Sequence, residues 1–346
     1  MTLPPLVDIV VLNYNGWRDT IECLESVFRQ EYASFRVILC DNGSIDESRE
    51  RLEQWASGAY VHEPRTNGPL RPLISPPVAK PIPYAVCDRA RAEQGGDRES
   101  SARLVIIHTG ANLGFTGGNN VGMRYSLVRN EAKYLLLLNN DTVVAPNALT
   151  ELVAAAERDA GIGAVGGTML DYRETELVQA AAGGTFAAWH GMVRASQEGA
   201  RRGSTVADVA LDFVSGGCLL APLAVVRAVG LLDERFFIYG EDQDFSLRIR
   251  RAGYKLAYCP AAELWHLGGG TTVAGSPFND YHNVRSALHF VAKHYPYLLP
   301  TAAAYSIYRC VLPKIARRQW PRLRATGRGY RDFLRDFASR RFTTAA

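Results

Sequence analysis

The 346-residue chain has no C-x-x-C pair: its six cysteines stand apart at 23, 40, 87, 218, 259 and 310. Several of them sit in apolar runs, so they read as the buried, reduced thiols of a cytoplasmic protein. Long hydrophobic runs are missing too. Uncharged apolar-rich stretches such as Val214–Val226 and Pro296–Tyr308 are 13 residues long, whereas a spanning helix needs about 18 or more. No transmembrane segment is expected. The opening Met1-Thr-Leu-Pro-Pro carries no basic n-region, so no signal peptide is expected either. The low-hydrophobicity, high-charge signature of global disorder is absent, because 47% of residues are hydrophobic, 21% charged and 10% aromatic. A folded chain of this length forms one large domain or two ordinary ones.

Charge is present in near balance but unevenly placed. Residues 309–346 hold eleven Lys/Arg and two Asp, a net +9, which leaves −5 on residues 1–308 of a chain whose total is +4. A mildly acidic body with a basic tail is a different object from a uniformly basic protein.

Short apolar runs bounded by turn residues predict buried strands at Val7–Leu12, Arg36–Cys40, Leu104–His108 and Tyr134–Leu138. Helical spacing predicts helices over Thr20–Gln30, Gly117–Asn130 and Pro146–Arg158, and over Ser44–Trp55, where Ser44 and Glu47 form a candidate capping box. The alternation argues for an α/β sheet with ligand loops at the carboxyl ends of its strands. The segment His62–Ala102 breaks the rhythm with seven of the 17 prolines and reads as an insertion: a lid, a docking surface or a plain surface excursion. Further on, Phe213–Leu220 and Lys255–Cys259 read as strands, and Glu241–Ala252 and Asp280–His294 as helices.

Five stretches carry candidate chemistry. Asn13-Tyr14-Asn15 and Asp41-Asn42-Gly43-Ser44 end the first two strands; Asp41 could accept from a nucleobase or ribose, although Asn, Asp, Gly and Ser also serve any βα turn. The Gly/Asn run from Asn112 to Asn120 lets backbone approach a ligand closely. It is not G-x-G-x-x-G and does not follow the first strand, which disfavours a nicotinamide dehydrogenase. In Asn139-Asn140-Asp141, an apolar strand delivers a carboxylate suited to Mg²⁺ or Mn²⁺. Glu241, Asp242 and Asp244 crowd a helix start, where acids also complement the macrodipole; a partly apolar setting could tune one of them as a general base. Trp265-His266 precedes the glycine run 268–270, which suggests a loop over a site.

Taken together, VVLNYNG, LCDNGSIDES, NLGFTGGNNVG, LLLLNNDT and FFIYGEDQDFSLRIRRAGYK, followed by Trp265-His266, resemble the family 2 glycosyltransferases, and most closely their rhamnosyltransferase-like bacterial branch, over roughly residues 6–295. The resemblance implies a GT-A fold: a central, mostly parallel mixed sheet flanked by helices, with a nucleotide-binding half and an acceptor-binding half. It implies inverting transfer from a nucleotide-diphosphate sugar, dTDP-rhamnose first and UDP- or GDP-sugars next, to a glycan or lipid-linked acceptor. On this resemblance Asn13, Tyr14, Asn15, Asp41, Asn42 and Ser44 hold base and ribose. Asn112, Gly114, Phe115, Gly117, Asn119 and Asn120, with Asn139 and Asn140, line the nucleotide and diphosphate. Asp141 and His266 hold the metal, Asp242 is the base with Glu241 beside it, and Gly216, Gly217, Tyr239 and Trp265 shape the acceptor side. Asn139 departs from the family's first DxD acid, and a neutral amide is a weaker cation ligand.

Two other classes stay open on sequence: an inactive nucleotide-sugar-binding protein and a sugar nucleotidyltransferase. The domain reading is a catalytic body over 1–308 and a basic helical tail over 309–346. Trp320, Tyr330, Phe333 and Phe337 interleave with the tail's basic residues, and Leu334, Phe337 and Arg341 follow helical spacing. That pattern suits peripheral contact with an anionic membrane, here its inner face, or an oligomer contact such as a homodimer. No nucleic-acid-binding fold is evident.

Overall fold

The computed structural model describes residues 4–65, 68–268 and 275–339. The glycines at 269–270 and the tail residues 340–346, Arg341 among them, lie outside the described residues. The strands are β1 (Val7–Asn13), β2 (Phe35–Asp41), β3 (Tyr84–Asp88), β4 (Leu104–His108), β5 (Tyr134–Asn139), β6 (Thr142–Val144), β7 (Ile162–Asp171), β8 (Val178–Ala181), β9 (Gly183–Ala187), β10 (Met192–Ala195), β11 (Phe213–Val214), β12 (Cys218–Pro222) and β13 (Lys255–His266). The helices are α1 (Trp17–Val27), α2 (Ser48–Ser57), α3 (Arg71–Ile74), α4 (Arg89–Ala92), α5 (Gly114–Arg129), α6 (Ala148–Glu157), α7 (Leu223–Val229), α8 (Glu241–Arg251), α9 (Pro277–His294), α10 (Leu299–Ser306), α11 (Leu312–Ala316) and α12 (Trp320–Ala338).

One mixed sheet runs β3-β4-β2-β1-β5-β12-β7-β13-β6, with β8 on β7, and β10-β9-β11 form a second, smaller sheet. Strands β3, β4, β2, β1 and β5 are all parallel. Their runs are apolar on both faces because helices cover both faces. Period-two alternation divides the core: Val7, Ile9, Val11, Leu136 and Leu138 pack on one side, Val10, Leu135 and Leu137 on the other. The buried Asp8 between them is matched by Arg36 at 2.9 Å and by the Ser126 hydroxyl at 2.6 Å.

Parallel pairing aligns the carboxyl ends. Asn13 sits opposite Asp41, Asp41 opposite His108, and Leu12 opposite Asn139. The residues that end these strands therefore stand on one ledge, as open α/β sheets place their ligand sites.

Three expectations change. The helix expected from Ser44 begins at Ser48 and has no side-chain cap. The Ser44 hydroxyl instead accepts from the Asn13 amide and from the Asn15 backbone N–H. The strand expected over 213–220 is broken at Ser215-Gly216-Gly217. Lastly, part of the Pro-rich stretch extends the main sheet, since β3 pairs in register with β4. Other parts of it are held by helices: α1's buried Glu25 accepts from Val78 N at 2.7 Å and its Glu22 from Arg65 N at 2.9 Å, while Arg129 of α5 donates to Asp97 O at 2.6 Å. Burial alone would raise the Glu22 carboxyl, but His62 and Arg65 hold it down to about 2.

The basic tail is folded back on the body. Phe333 joins Val284 and Leu288 of α9 in a small core against which Tyr330 packs. Arg285–Asp336 at 2.7 Å and Arg322–Asp280 at 2.6 Å tie the two helices across that seam. Among the described residues, no helix is long and apolar enough to cross a membrane.

Candidate active site

The ledge is wired before any ligand arrives. Asn13 is buried, donates to Asp41 at 2.9 Å and to Ser44 at 3.1 Å, and accepts from the Thr20 hydroxyl at 2.8 Å. Its amide is fully committed to positioning Asp41. Burial pushes the Asp41 carboxyl up, but His108, Ser44 and Asn13 more than offset this and hold it below the ordinary carboxylate range. Asp41 therefore presents a charged acceptor. Asn15, at a left-handed φ of 52°, accepts from Ile45 N at 2.8 Å and so shapes the 44–46 turn, while Tyr14 beside it is half-buried. Asn42 is buried, donates to Gly114 O and Asn112 Oδ1, and accepts from Leu113 N, which fixes the loop before α5.

The Gly/Asn run divides into two roles. Gly114 has a φ of +75°, and a Cβ there would meet Phe237 O at 2.4 Å. That close approach lets Phe115 N donate to Phe237 O at 2.8 Å. The donor-side loop is thereby fastened to the segment leading into α8. Gly117 faces Leu113 rather than an open cleft. Asn119 and Asn120 differ from expectation: both are buried, Asn119 donating to Phe115 O and Asn120 binding Leu232 and Glu234. They hold α5 and the 232–234 turn in place, because an amide buried in helix packing needs internal partners.

At the end of β5, Asn139 Nδ2 lies 3.2 Å from His266 Nε2, and Asp141 Oδ1 lies 3.2 Å from the same nitrogen. Asn140 turns away to the Thr20 hydroxyl at 2.8 Å. His266 arrives because β13 pairs antiparallel with β6, placing it opposite Thr142. The same alternation sends Trp265 the other way, into the core, where its indole N–H donates to Thr175 O. Trp265 therefore does not shape an acceptor surface. Gln179 donates to Asp171 Oδ2 and to His266 O, so its Oε1 faces His266 Nδ1 at 2.9 Å. In the neutral imidazole Nδ1 thus carries the proton, and the Nε2 lone pair points at the Asp141 carboxylate. A lone pair and an anion aimed at one point, with an amide beside them, fit a divalent cation. Among the described residues no third His, Cys, Asp or Glu joins them.

The third part is the start of α8. Gly240 caps it at φ +92°, after Tyr239 at φ +67°, whose hydroxyl accepts from Asn279. Asp242 is partly exposed and accepts from Gln243 N at 2.8 Å and Gly216 N at 3.3 Å. Burial of its carboxyl group raises its pKa above the ordinary value. Glu241 points inward, is buried, and has an Oε2 with no hydrogen-bond partner among the described residues. Burial first, and the neighbouring Asp242 charge second, push it well up. Asp244 has the opposite environment: burial would raise it, but His294, Arg248 and Lys293 hold it down. Those contacts lock α8 to α9, while Ser246 Oγ accepts from Val214 N and locks it to β11.

Glu241 permits a stability prediction. Its raised pKa leaves no penalty below the unfolded value, where both states are protonated. Stability is lost as pH rises from the unfolded value through the folded one, because the unfolded chain ionises first. Glu241→Gln is therefore expected to match wild type near pH 4 and to gain roughly 2 °C or more in Tm at pH 8. Thermal melts across that range check it; a loss at pH 8 would show that the ionised carboxylate is needed.

Ser215-Gly216-Gly217 connects the two chemical centres. Gly216 N donates to Asp242, and Gly217 O accepts from Asn139 N at 3.1 Å. A Cβ on Gly217 would reach Asn139 Nδ2 at 3.3 Å, so this turn between the two sheets can lie close under both. His108, Gln179 and Thr20 are parts of the site that sequence reasoning did not single out. Gln179 leaves no sequence signal, since it lies in a short Ala-rich strand.

A family model described as glycosyltransferase like family 2 matches residues 85–280, and one described as glycosyl transferase family 2 matches residues 8–71. The low-salt glycan biosynthesis hexosyltransferase of Haloferax volcanii is 26% identical over 184 residues, covering 53% of this chain and 58% of that protein. The N-acetylglucosaminyl-diphospho-decaprenol L-rhamnosyltransferase of Mycobacterium tuberculosis is 41% identical over 56 residues, covering 16% of this chain and 18% of that protein. The chain thus spans less than two thirds of the length of these curated relatives. Among solved structures, GalNAc-T7 with UDP, GalNAc and Mn²⁺ superposes with a TM-score of 0.61 at 15% identity, covering 97% of this chain and 57% of that one. A mannosyltransferase from Pyrobaculum calidifontis in complex with GDP-Man and Mn²⁺ gives 0.50 at 14%, covering 99% and 88%. These likenesses establish the GT-A fold. With a family match over more than half its length, the chain belongs to glycosyltransferase family 2.

Proposed function

We propose that this chain is an inverting glycosyltransferase with Asp242 as its general base. Its donor is a nucleotide-diphosphate sugar, dTDP-rhamnose before UDP- or GDP-sugars, and its acceptor a hydroxyl of a glycan or lipid-linked glycan in cell-surface polysaccharide synthesis. One observation carries the reading: consecutive glycines touch Asp242 on one side and Asn139, beside Asp141 and His266, on the other. A base and a diphosphate-holding end one short turn apart suit attack on an anomeric carbon between them.

The nucleotide lies along the strand-end ledge, with Tyr14, Asn15, Asp41, Ser44 and Asn112 around base and ribose. Asp242 takes the proton of the acceptor hydroxyl as that oxygen attacks from the face opposite the nucleotide. The bond to the diphosphate breaks, and the anomeric configuration inverts without a covalent sugar–enzyme intermediate. General-base help of this kind is typically worth ~10²–10⁴ in rate. Mg²⁺ or Mn²⁺ held by Asp141 and His266, with Asn139 beside them, would offset the charge gathered on the departing diphosphate. The L-rhamnosyltransferase relative, over its short matched stretch, supports rhamnose as the sugar.

Incubation with a panel of nucleotide sugars and a polyprenyl-diphosphate-linked acceptor tests this. Release of free nucleoside diphosphate with an inverted glycoside is expected, with dTDP-rhamnose the best donor. In a parallel incubation with nucleoside triphosphate and sugar 1-phosphate, pyrophosphate release would indicate nucleotidyl transfer, and tight donor binding without turnover would indicate a binding protein.

A further inference from the structure

We infer that the outward face of the helical run 299–316, flanked by Trp189 and Trp320, seats the protein on an anionic phospholipid bilayer. The inference goes beyond the transfer reaction and depends on no step of it.

The first observation is charge. Between Asp280 and Asp332 the chain contains ten Lys/Arg and no Asp or Glu. The acids around this segment serve only some of those cations. Asp280 takes Lys314 and Arg322, Asp336 takes Arg285, Asp233 takes Lys293, and Asp332 takes Arg331. Arg309, Arg317, Arg318, Arg324 and Arg328 have no ion pair among the described residues.

The second observation is an apolar stripe on the same run. Helix α10, one π-type turn over Ile307–Val311 and α11 follow one another without a break. Ala302, Ser306 and Lys314 are buried toward the body at helical spacing. About half a turn away, Tyr308 (63% exposed), Leu312 and Ile315 recur at i, i+4 and i+7, with Ile307 beside them and Tyr297 (75% exposed) at the preceding turn. Trp189 (55% exposed) stands against Tyr305 at 5.6 Å between ring centroids, and Trp320 is half-exposed at the far end. Aromatic side chains flanking aliphatic ones, with arginines alongside, match the layering of a membrane interface.

The occupant follows from the charge. A second copy docking through the same face would set unpaired arginines against arginines, with no acid to neutralise them. An anionic lipid surface supplies both the counter-charge and an apolar layer. Of the tail aromatics singled out in the sequence, Trp320 borders this face, whereas Tyr330 and Phe333 are turned onto α9.

Flotation of the full chain with phosphatidylglycerol/phosphatidylcholine vesicles, against phosphatidylcholine alone, tests the inference, with sedimentation velocity in parallel. Wild type is expected to float with the anionic vesicles only, and less at raised salt. Leu312→Asp/Ile315→Asp and Arg317→Glu/Arg318→Glu are each expected to lower partitioning at least about tenfold. Leu334→Asp, on the exposed side of α12, is expected to float like wild type. Circular dichroism checks the fold of each variant, and if the aspartate pair unfolds, the arginine pair decides. Wild type failing to float, both pairs floating normally, or a solution dimer that the pairs dissolve would each overturn it.

Discussion

Asp242→Asn is expected to lower turnover by about 10²–10⁴ while leaving donor affinity within a few-fold of wild type. The amide cannot take a proton from the acceptor hydroxyl. Its oxygen can still accept from Gln243 N or Gly216 N, so the start of α8 is expected to keep its place. Calorimetry with the donor and a product assay separate the two quantities, and near-wild-type turnover would remove Asp242 as the base. Wild-type activity is also expected to fall on acidification through a pKa above the ordinary carboxylate range, since burial favours the protonated form and only the ionised form works as a base. An acidic limb at the ordinary carboxylate value would show that the group is more solvated in the complex.

Asp141→Ala is expected to weaken metal-dependent donor binding by at least about tenfold. The variant should also lose most of its response to chelator, because His266 and the neutral Asn139 leave a poor site for a hard cation. Donor affinity titrated with Mn²⁺, with Mg²⁺ and with chelator measures this. Equal wild-type affinity with and without chelator would leave Asp141 no metal role.

Much of the fold was legible in one dimension. Val7–Leu12 and Tyr134–Leu138 are uninterrupted apolar runs because both faces of a parallel strand are buried, and each was placed within a residue of its observed end. The strand-end residues followed, since parallel strands of similar length end on one ledge. Less legible were residues whose type suits two tasks. Asn119 and Asn120 carry the same amide as the exposed Asn15 and Asn112, yet one turn into α5 they face the interior. The capping box at Ser44 misled for a similar reason: its hydroxyl is claimed by Asn13 and Asn15 from across the sheet. Trp265 and His266 were both expected at the site, one on the acceptor side and one at the metal, but a strand sends adjacent side chains to opposite faces.

By itself, then, the sequence determined the alternation of strands and helices, the order of five motifs and the identity of the ionisable groups, because these rest on local periodicity and residue chemistry. Only the tertiary structure decided which groups meet. A strand of 12 residues carries His266 to Asp141, a Ser-Gly-Gly turn between two sheets spans from there to Asp242, and Gln179 turns the imidazole lone pair toward the carboxylate. The same holds for the basic tail, whose aromatic residues split between a seam with α9 and the surface. Contacts between residues a hundred positions apart are set by sheet register and helix packing, and no local pattern encodes them.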